Sequence, residues 1–171
     1  ALDADLYVNY ADVASAVEEV DRTKSKAEQA LVNEMAQNIL EAIDALEYKP
    51  ASYDQVRTAI GKAEALNQEE YKDFSGVEAA VKAVVWDKNI TEQAEVNAMA
   101  QAIEDAVAAL EYKPADYSGV DAAIGKAEAL NQEEYKDFSG VEAAVKAVVW
   151  DKNITEQVEV DAMAKAIEEA I

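Results

Sequence analysis

Between Glu92 and Leu110 the apolar residues fall at Val96, Met99, Ile103, Ala106 and Leu110, in steps of three and four that keep them on one helical stripe. Such alternation is the seam of a helix bundle. The same spacing appears twice upstream. Val56, Ala59, Ile60 and Ala63 predict a first helix from about Tyr53 to Leu66, and Val77, Ala80, Val81 and Val84 predict a second from about Phe74 to Trp86. The third, from about Glu92 to Leu110, is the longest; a helix of about twenty residues rises roughly 30 Å.

This three-helix pattern repeats. The stretch YKDFSGVEAAVKAVVWDKNITEQ occurs unchanged from Tyr71 and again from Tyr135, and a register of 64 residues lays Tyr48 on Tyr112, Trp86 on Trp150 and Met99 on Met163. Residues 47–107 and 111–171 differ at only ten positions, the mark of a recent duplication. An older copy precedes them: EQALVNEMAQ from Glu28 aligns with EQAEVNAMAQ from Glu92, and Tyr7, Val13 and Val17 align with Tyr71, Val77 and Val81. Ala1 and Leu2 align with Ala65 and Leu66, so this copy starts part-way through and reads as part of a longer protein. It has counterparts of the second and third helices, about Tyr10 to Val20 and Glu28 to Leu46, but none of the first.

The expected architecture is therefore all-α, tandem three-helix bundles with short proline-containing joints. Residues 1–46 form a partial repeat, and 47–110 and 111–171 form two complete ones. A bundle of some sixty residues supports itself only marginally, by about 3–5 kcal/mol. The uncovered apolar face of the first copy, including Val13, Val17, Met35 and Ile39, is expected to be buried against the next repeat, a second chain or an upstream segment.

The helix starts share a signal of a capping residue, an aromatic, two intervening residues, then Val. It appears as Asn9-Tyr10…Val13, Ser52-Tyr53…Val56, Asp73-Phe74…Val77, Asp116-Tyr117…Val120 and Asp137-Phe138…Val141. The short polar side chain can accept from a free amide of the first turn, and the aromatic can close the bundle end. Thr91 and Thr155 are the expected caps of the third helices. Between copies stands EYKPA, at Glu47 to Ala51 and Glu111 to Ala115. Pro50 and Pro114 cannot continue a helix and push Lys49 and Lys113 toward extended backbone. A joint this short predicts a jointed rod, with Tyr48 and Tyr112 wedging it and Tyr71 and Tyr135 as packing residues.

Composition agrees with helices: the apolar half of the chain is rich in Ala, with five Gly and two Pro to interrupt it. The net charge of −21 repels phosphate, so nucleic acid is not an expected partner, and neither is an anionic membrane. No apolar run reaches the roughly twenty residues of a membrane span. With no Cys there are no disulfides and no thiolate chemistry, and this leaves the compartment open.

Candidate chemistry is sparse. Without His or Cys, and with no base beside Ser75, nucleophilic and His-based acid–base catalysis have no residues to run on. The acidic turns Glu69-Glu70-Asp73 and Glu133-Glu134-Asp137 match no D-x-D-x-D-G calcium loop and read as solvated charge plus the caps Asp73 and Asp137. No metal or cofactor is expected. The residues singled out as a candidate ligand surface are Trp86 and Trp150. If the second helix continues through Trp86, its indole lies opposite the Val77, Ala80, Val81, Val84 arc and points outward, able to stack on a sugar ring or anchor a protein. If the helix ends earlier, the indole folds over the bundle end or joins the interface between copies; the first copy has Arg22 there.

Together, YKPADYSGVDAAIGKAEALN, YKDFSGVEAAVKAVV and NITEQ followed by EV, AMAKAIE and AI resemble the FIVAR module, a repeat of cell-wall-associated and secreted proteins of Gram-positive bacteria. The resemblance covers Glu47 to Ile171 and, more weakly, the partial copy. It implies non-catalytic three-helix bundles, often in tandem, within large surface proteins that include adhesins and carbohydrate-active enzymes. A glycan or a host matrix protein is the ligand it implies. Trp86 and Trp150 depart from the polar residue expected there. The expected function is a spacer or stalk projecting neighbouring domains of a larger surface protein; the alternative is an adhesin module that binds through these tryptophans.

Overall fold

The computed structural model describes residues 2–171 and is all-helical. Its α-helices are α1 (Tyr10–Glu18), α2 (Gln29–Asp44), α3 (Asp54–Glu64), α4 (Ser75–Lys82), α5 (Gln93–Ala108), α6 (Ser118–Glu128), α7 (Ser139–Lys146) and α8 (Gln157–Ala170), with short 3-10 turns between them. Among the described residues β pairing occurs only as isolated antiparallel bridges. The chain divides into two compact units, Ala1–Ala63 with Ala79–Asp105 and Glu64–Glu78 with Ala106–Ile171, each of which takes part of residues 47–110.

In the second unit α6, α7 and α8 share one core. Val120, Ala123 and Ala127 of α6, Val141 of α7, and Val160 and Ile167 of α8 are buried, with Tyr117, Phe138, Met163 and Ala164 packed against them. These are the periodic positions of the sequence. Burying a Val or Ile side chain fully stabilises by about 1.5–3 kcal/mol. A methyl at Gly119 would lie 3.7 Å from the Ala164 Cβ, ordinary contact, so α6 lies close on α8. Asp116 and Asp137 each accept from the first amide of α6 and α7 at 2.9 Å, but from one position before the N-cap residues Tyr117 and Phe138.

In the first unit Val56, Ala59 and Ala63 of α3 and Val96, Ala100 and Ile103 of α5 are buried, and Lys62 Nζ pairs with Glu104 Oε1 at 2.7 Å across the two helices. α1 packs on α2. Within the described residues one member of the named face is buried, Val13 at 5% exposed, while Val17 is 49% exposed and Met35 and Ile39 are half-buried. Among the described residues, those that line the open side of that seam all fall between Val20 and Ile39.

Three expected caps differ for identifiable reasons. The third helices are started by Asn89 and Asn153, not Thr91 and Thr155. Each Asn accepts from the following Thr amide and forms a reciprocal capping box with Glu92 or Glu156. The Thr hydroxyls donate to the Asn side chains at 2.6 and 2.7 Å and serve the caps rather than being them. Asn9 does not cap α1: its side-chain amide donates to the Ala45 C=O and its oxygen accepts from the Glu47 N–H, closing the end of α2.

The EYKPA segments are extended and hydrogen-bonded on both sides. Val8 N–H donates to Glu47 C=O at 2.9 Å and Lys49 N–H to Leu6 C=O at 2.8 Å, while Ile90 N–H donates to Lys49 C=O and Ala51 N–H to Lys88 C=O at 2.8 and 3.0 Å. In the second unit Lys72 with Glu111, Lys113 with Glu70, Ile154 with Lys113, and Ala115 with Lys152 repeat the pattern. Pro50 and Pro114, which carry no N–H, lie between the donors of each segment.

Candidate functional site

α4 and α7 end at Lys82 and Lys146, four residues before Trp86 and Trp150, so neither indole stands on the outer face of a helix. The helical ladder is interrupted by side chains from elsewhere. The amides of Val85 and Val149 donate to the thioethers of Met99 and Met163 at 3.3 and 3.2 Å, and the carbonyls of the same valines accept from the hydroxyls of Tyr53 and Tyr117 at 2.8 and 2.7 Å. Each tyrosine oxygen then accepts from the amide of Lys88 or Lys152. The first copy repeats the sulfur contact, with Asp21 N–H on Met35 Sδ at 3.2 Å.

That hydroxyl bridge aligns the aromatic pair. Tyr53 stacks on Trp86 with centroids 4.9 Å apart and planes at 29°, and Tyr117 on Trp150 at 5.0 Å and 28°. The tryptophans remain 51% and 54% exposed, so each indole is packed on a tyrosine and half open to water. The two sites differ: the Arg57 guanidinium lies 5.9 Å from the Trp86 ring centroid, whereas Asp121 occupies the equivalent position near Trp150.

The surrounding charge is organised as ion pairs. Lys88 pairs with Glu92 and Glu95 at 2.8 and 2.7 Å, which raises the Lys88 pKa and, through Lys88 and then the Asn89 amide, lowers that of Glu92. Lys152 with Glu156 and Glu159 repeats this. In the acidic turns, Asp73 and Asp137 are held below the usual carboxylate range by the hydroxyl and amide of Ser75 and Ser139, as capping requires. Among the described residues no three His, Cys, Asp or Glu side chains are grouped to hold a metal ion.

An open cleft of about 450 Å³ between α3 and α5 is lined by Asp54, Gln55, Thr58, Asn97 and Gln101, among others. All five of these positions differ in the last copy, where Ser118, Gly119, Ala122, Asp161 and Lys165 stand. A ligand common to both copies is therefore not read here, which leaves the tryptophan surfaces as the shared feature. Sequence reasoning missed two residues that orient the region, Gln93 and Gln157. Each accepts from the amide before the following helix and donates to the same residue's carbonyl, Ser52 or Asp116. Recurrence of Gln at 29, 93 and 157 was the available signal. No family model, no curated protein and no solved structure matches this chain.

Proposed function

We infer that the chain is a non-catalytic run of tandem three-helix bundles, joined by proline-containing segments, that serves as a spacer or stalk in a bacterial cell-surface or secreted protein. Its partners are the neighbouring domains of that protein. The supporting observation is the hydrogen bonding of EYKPA: a spacer must hold position through its joints, and Lys49 and Lys113 are tied by both their N–H and their C=O. The FIVAR-like motifs support the surface location, and a chain without His or Cys suits a role without chemistry. Lengthening the array by one, two and three copies of residues 47–110 tests this by small-angle scattering. The maximum dimension should grow by an equal step of up to roughly 30 Å per copy; growth with no fixed step would contradict it.

One observation favours the second reading, an adhesin module for glycan or host matrix protein. Trp86 and Trp150 offer half-open indoles already oriented by a tyrosine, so little ordering is needed on binding. Titration with N-acetylglucosamine oligomers or a matrix protein should then shift tryptophan emission, and Trp86→Ala with Trp150→Ala should abolish binding. Unchanged emission at saturating ligand would remove this reading.

A further inference from the structure

A groove of about 460 Å³ runs along α2, with Val32, Met35, Ala36 and Ile39 on its floor and Gln29 toward one end. Two repeats on, the same positions are Val160, Met163, Ala164 and Ile167, and there α6 covers them. Val160 and Ile167 are 1% and 0% exposed, against 37% for Val32. The chain thus shows on its own α8 what kind of element fits the floor of this groove.

The polar contacts that seat a covering helix have their counterparts here too. Gln29 stands where Gln93 and Gln157 clamp the peptide unit before α3 and α6. Asp21 and Lys24, also on the groove, stand where Val85 and Lys88 bind the Tyr53 hydroxyl and where Lys88 C=O accepts from Ala51 N–H. An apolar floor, a backbone clamp and a hydroxyl seat are therefore arranged as they are beneath α3 and α6.

We propose that the first repeat is an acceptor for one further amphipathic helix of the α3 and α6 kind. Its form is an extended Pro-Ala step, a tyrosine, then an amphipathic helix with Val-x-x-Ala-Ile-x-x-Ala spacing. Two substitutions define how it departs from α3 and α6. Leu40, 55% exposed, replaces Glu104 and Glu168, the partners of Lys62 and Lys126 on the covering helices, so the incoming helix carries an apolar residue in place of that lysine. Arg22 replaces the tryptophan, so the incoming tyrosine meets a guanidinium rather than an indole. The inference goes beyond the spacer reading and does not rest on it.

The test is a titration of the full chain with a synthetic peptide of residues 111–130, as it stands and with Lys126→Leu, followed by amide and methyl NMR. Saturable shifts are expected at the Lys24 amide, the Gln29 side-chain amide and the Ile39 methyl, with the Lys126→Leu peptide binding several-fold tighter. Ile39→Asp in the chain should weaken binding by about tenfold or more, and Gln29→Ala by several-fold, with far-UV circular dichroism unchanged. Absence of shifts would overturn the proposal. So would binding insensitive to Ile39→Asp, which would mean the peptide displaces α6 instead, or a dimer by sedimentation with the same methyls protected, which would assign the groove to a second copy.

Discussion

Tyr71 donates its hydroxyl proton to the hydroxyl of Tyr112 at 3.4 Å, beneath rings stacked with centroids 4.7 Å apart, and Tyr7 and Tyr48 stack the same way at 4.8 Å. The ring pair and the backbone bonds of Lys72 and Lys113 join the same two extended segments, so side chains and main chain brace one pairing. The hydrogen bond to Tyr112, followed by burial, pushes the Tyr71 pKa up to about 12.

The alkaline limb of stability follows from that shift. An unfolded tyrosine ionises near pH 10, so the folded state keeps a proton that the unfolded state loses. This contribution is complete below about pH 10 and disappears as pH rises toward 12. Thermal melts between pH 9 and 12 should show the loss, and Tyr112→Phe should flatten it.

On the acid side the sign reverses. The Glu92 and Glu156 carboxylates are held low by Lys88 and Lys152 and then by the Asn89 and Asn153 amides, and hydrogen bonds from Thr23 hold Asp21 at about 2. Their stabilisation is present above the unfolded value near pH 4 and is lost as pH falls through the folded values. Protonation also relieves the repulsion of a −21 chain, which acts the other way. Melts at pH 7 and pH 2.5 in low and in 1 M salt separate the two: screening removes the repulsion, and the acid loss should be larger in high salt.

The corrected caps make a paired prediction. Asn89→Ala removes the acceptor of the Thr91 amide and half of the capping box with Glu92, and should destabilise by about 1 kcal/mol. Thr91→Ala removes only the hydroxyl donated to Asn89 and should lose less. Urea midpoints of the two variants decide it; a larger loss at Thr91 would restore Thr91 as the cap.

Met99 takes the Val85 amide, so its sulfur acts as an acceptor as well as packing. A Met-to-Leu exchange conserves volume, but here it strips the amide of its partner. Met99→Leu should accelerate hydrogen exchange at Val85 and destabilise by about 0.5–1.5 kcal/mol. An unchanged exchange rate would show the sulfur contact to be incidental.

The helices were legible because Val56, Ala59 and Ala63, or Val96 and Ile103, repeat the spacing of a buried stripe, and those residues are the buried ones. What escaped is set by contacts between distant positions. α4 stops at Lys82, and Val85 just beyond it bonds to a tyrosine hydroxyl thirty-two residues from Val85 and to a sulfur fourteen from it; no local pattern encodes either. For the same reason Trp86 was placed on an outer helix face as one of two readings, although Tyr53 holds it at a loop. The Asn89-x-x-Glu92 box is readable from spacing alone, and Thr91 inside it offers a second residue of the capping type. The extended form of EYKPA followed from its proline, while its hydrogen-bond partners at Leu6, Val8, Lys88 and Ile90 did not.

The EYKPA segments are proposed to be braced joints and not hinges, and backbone 15N relaxation of the intact chain tests this most directly. Lys49, Ala51, Lys113 and Ala115 should show order parameters near 0.85, equal to those of α5 and α8. Values below about 0.6 at these amides, with the flanking helices still rigid, would contradict the account.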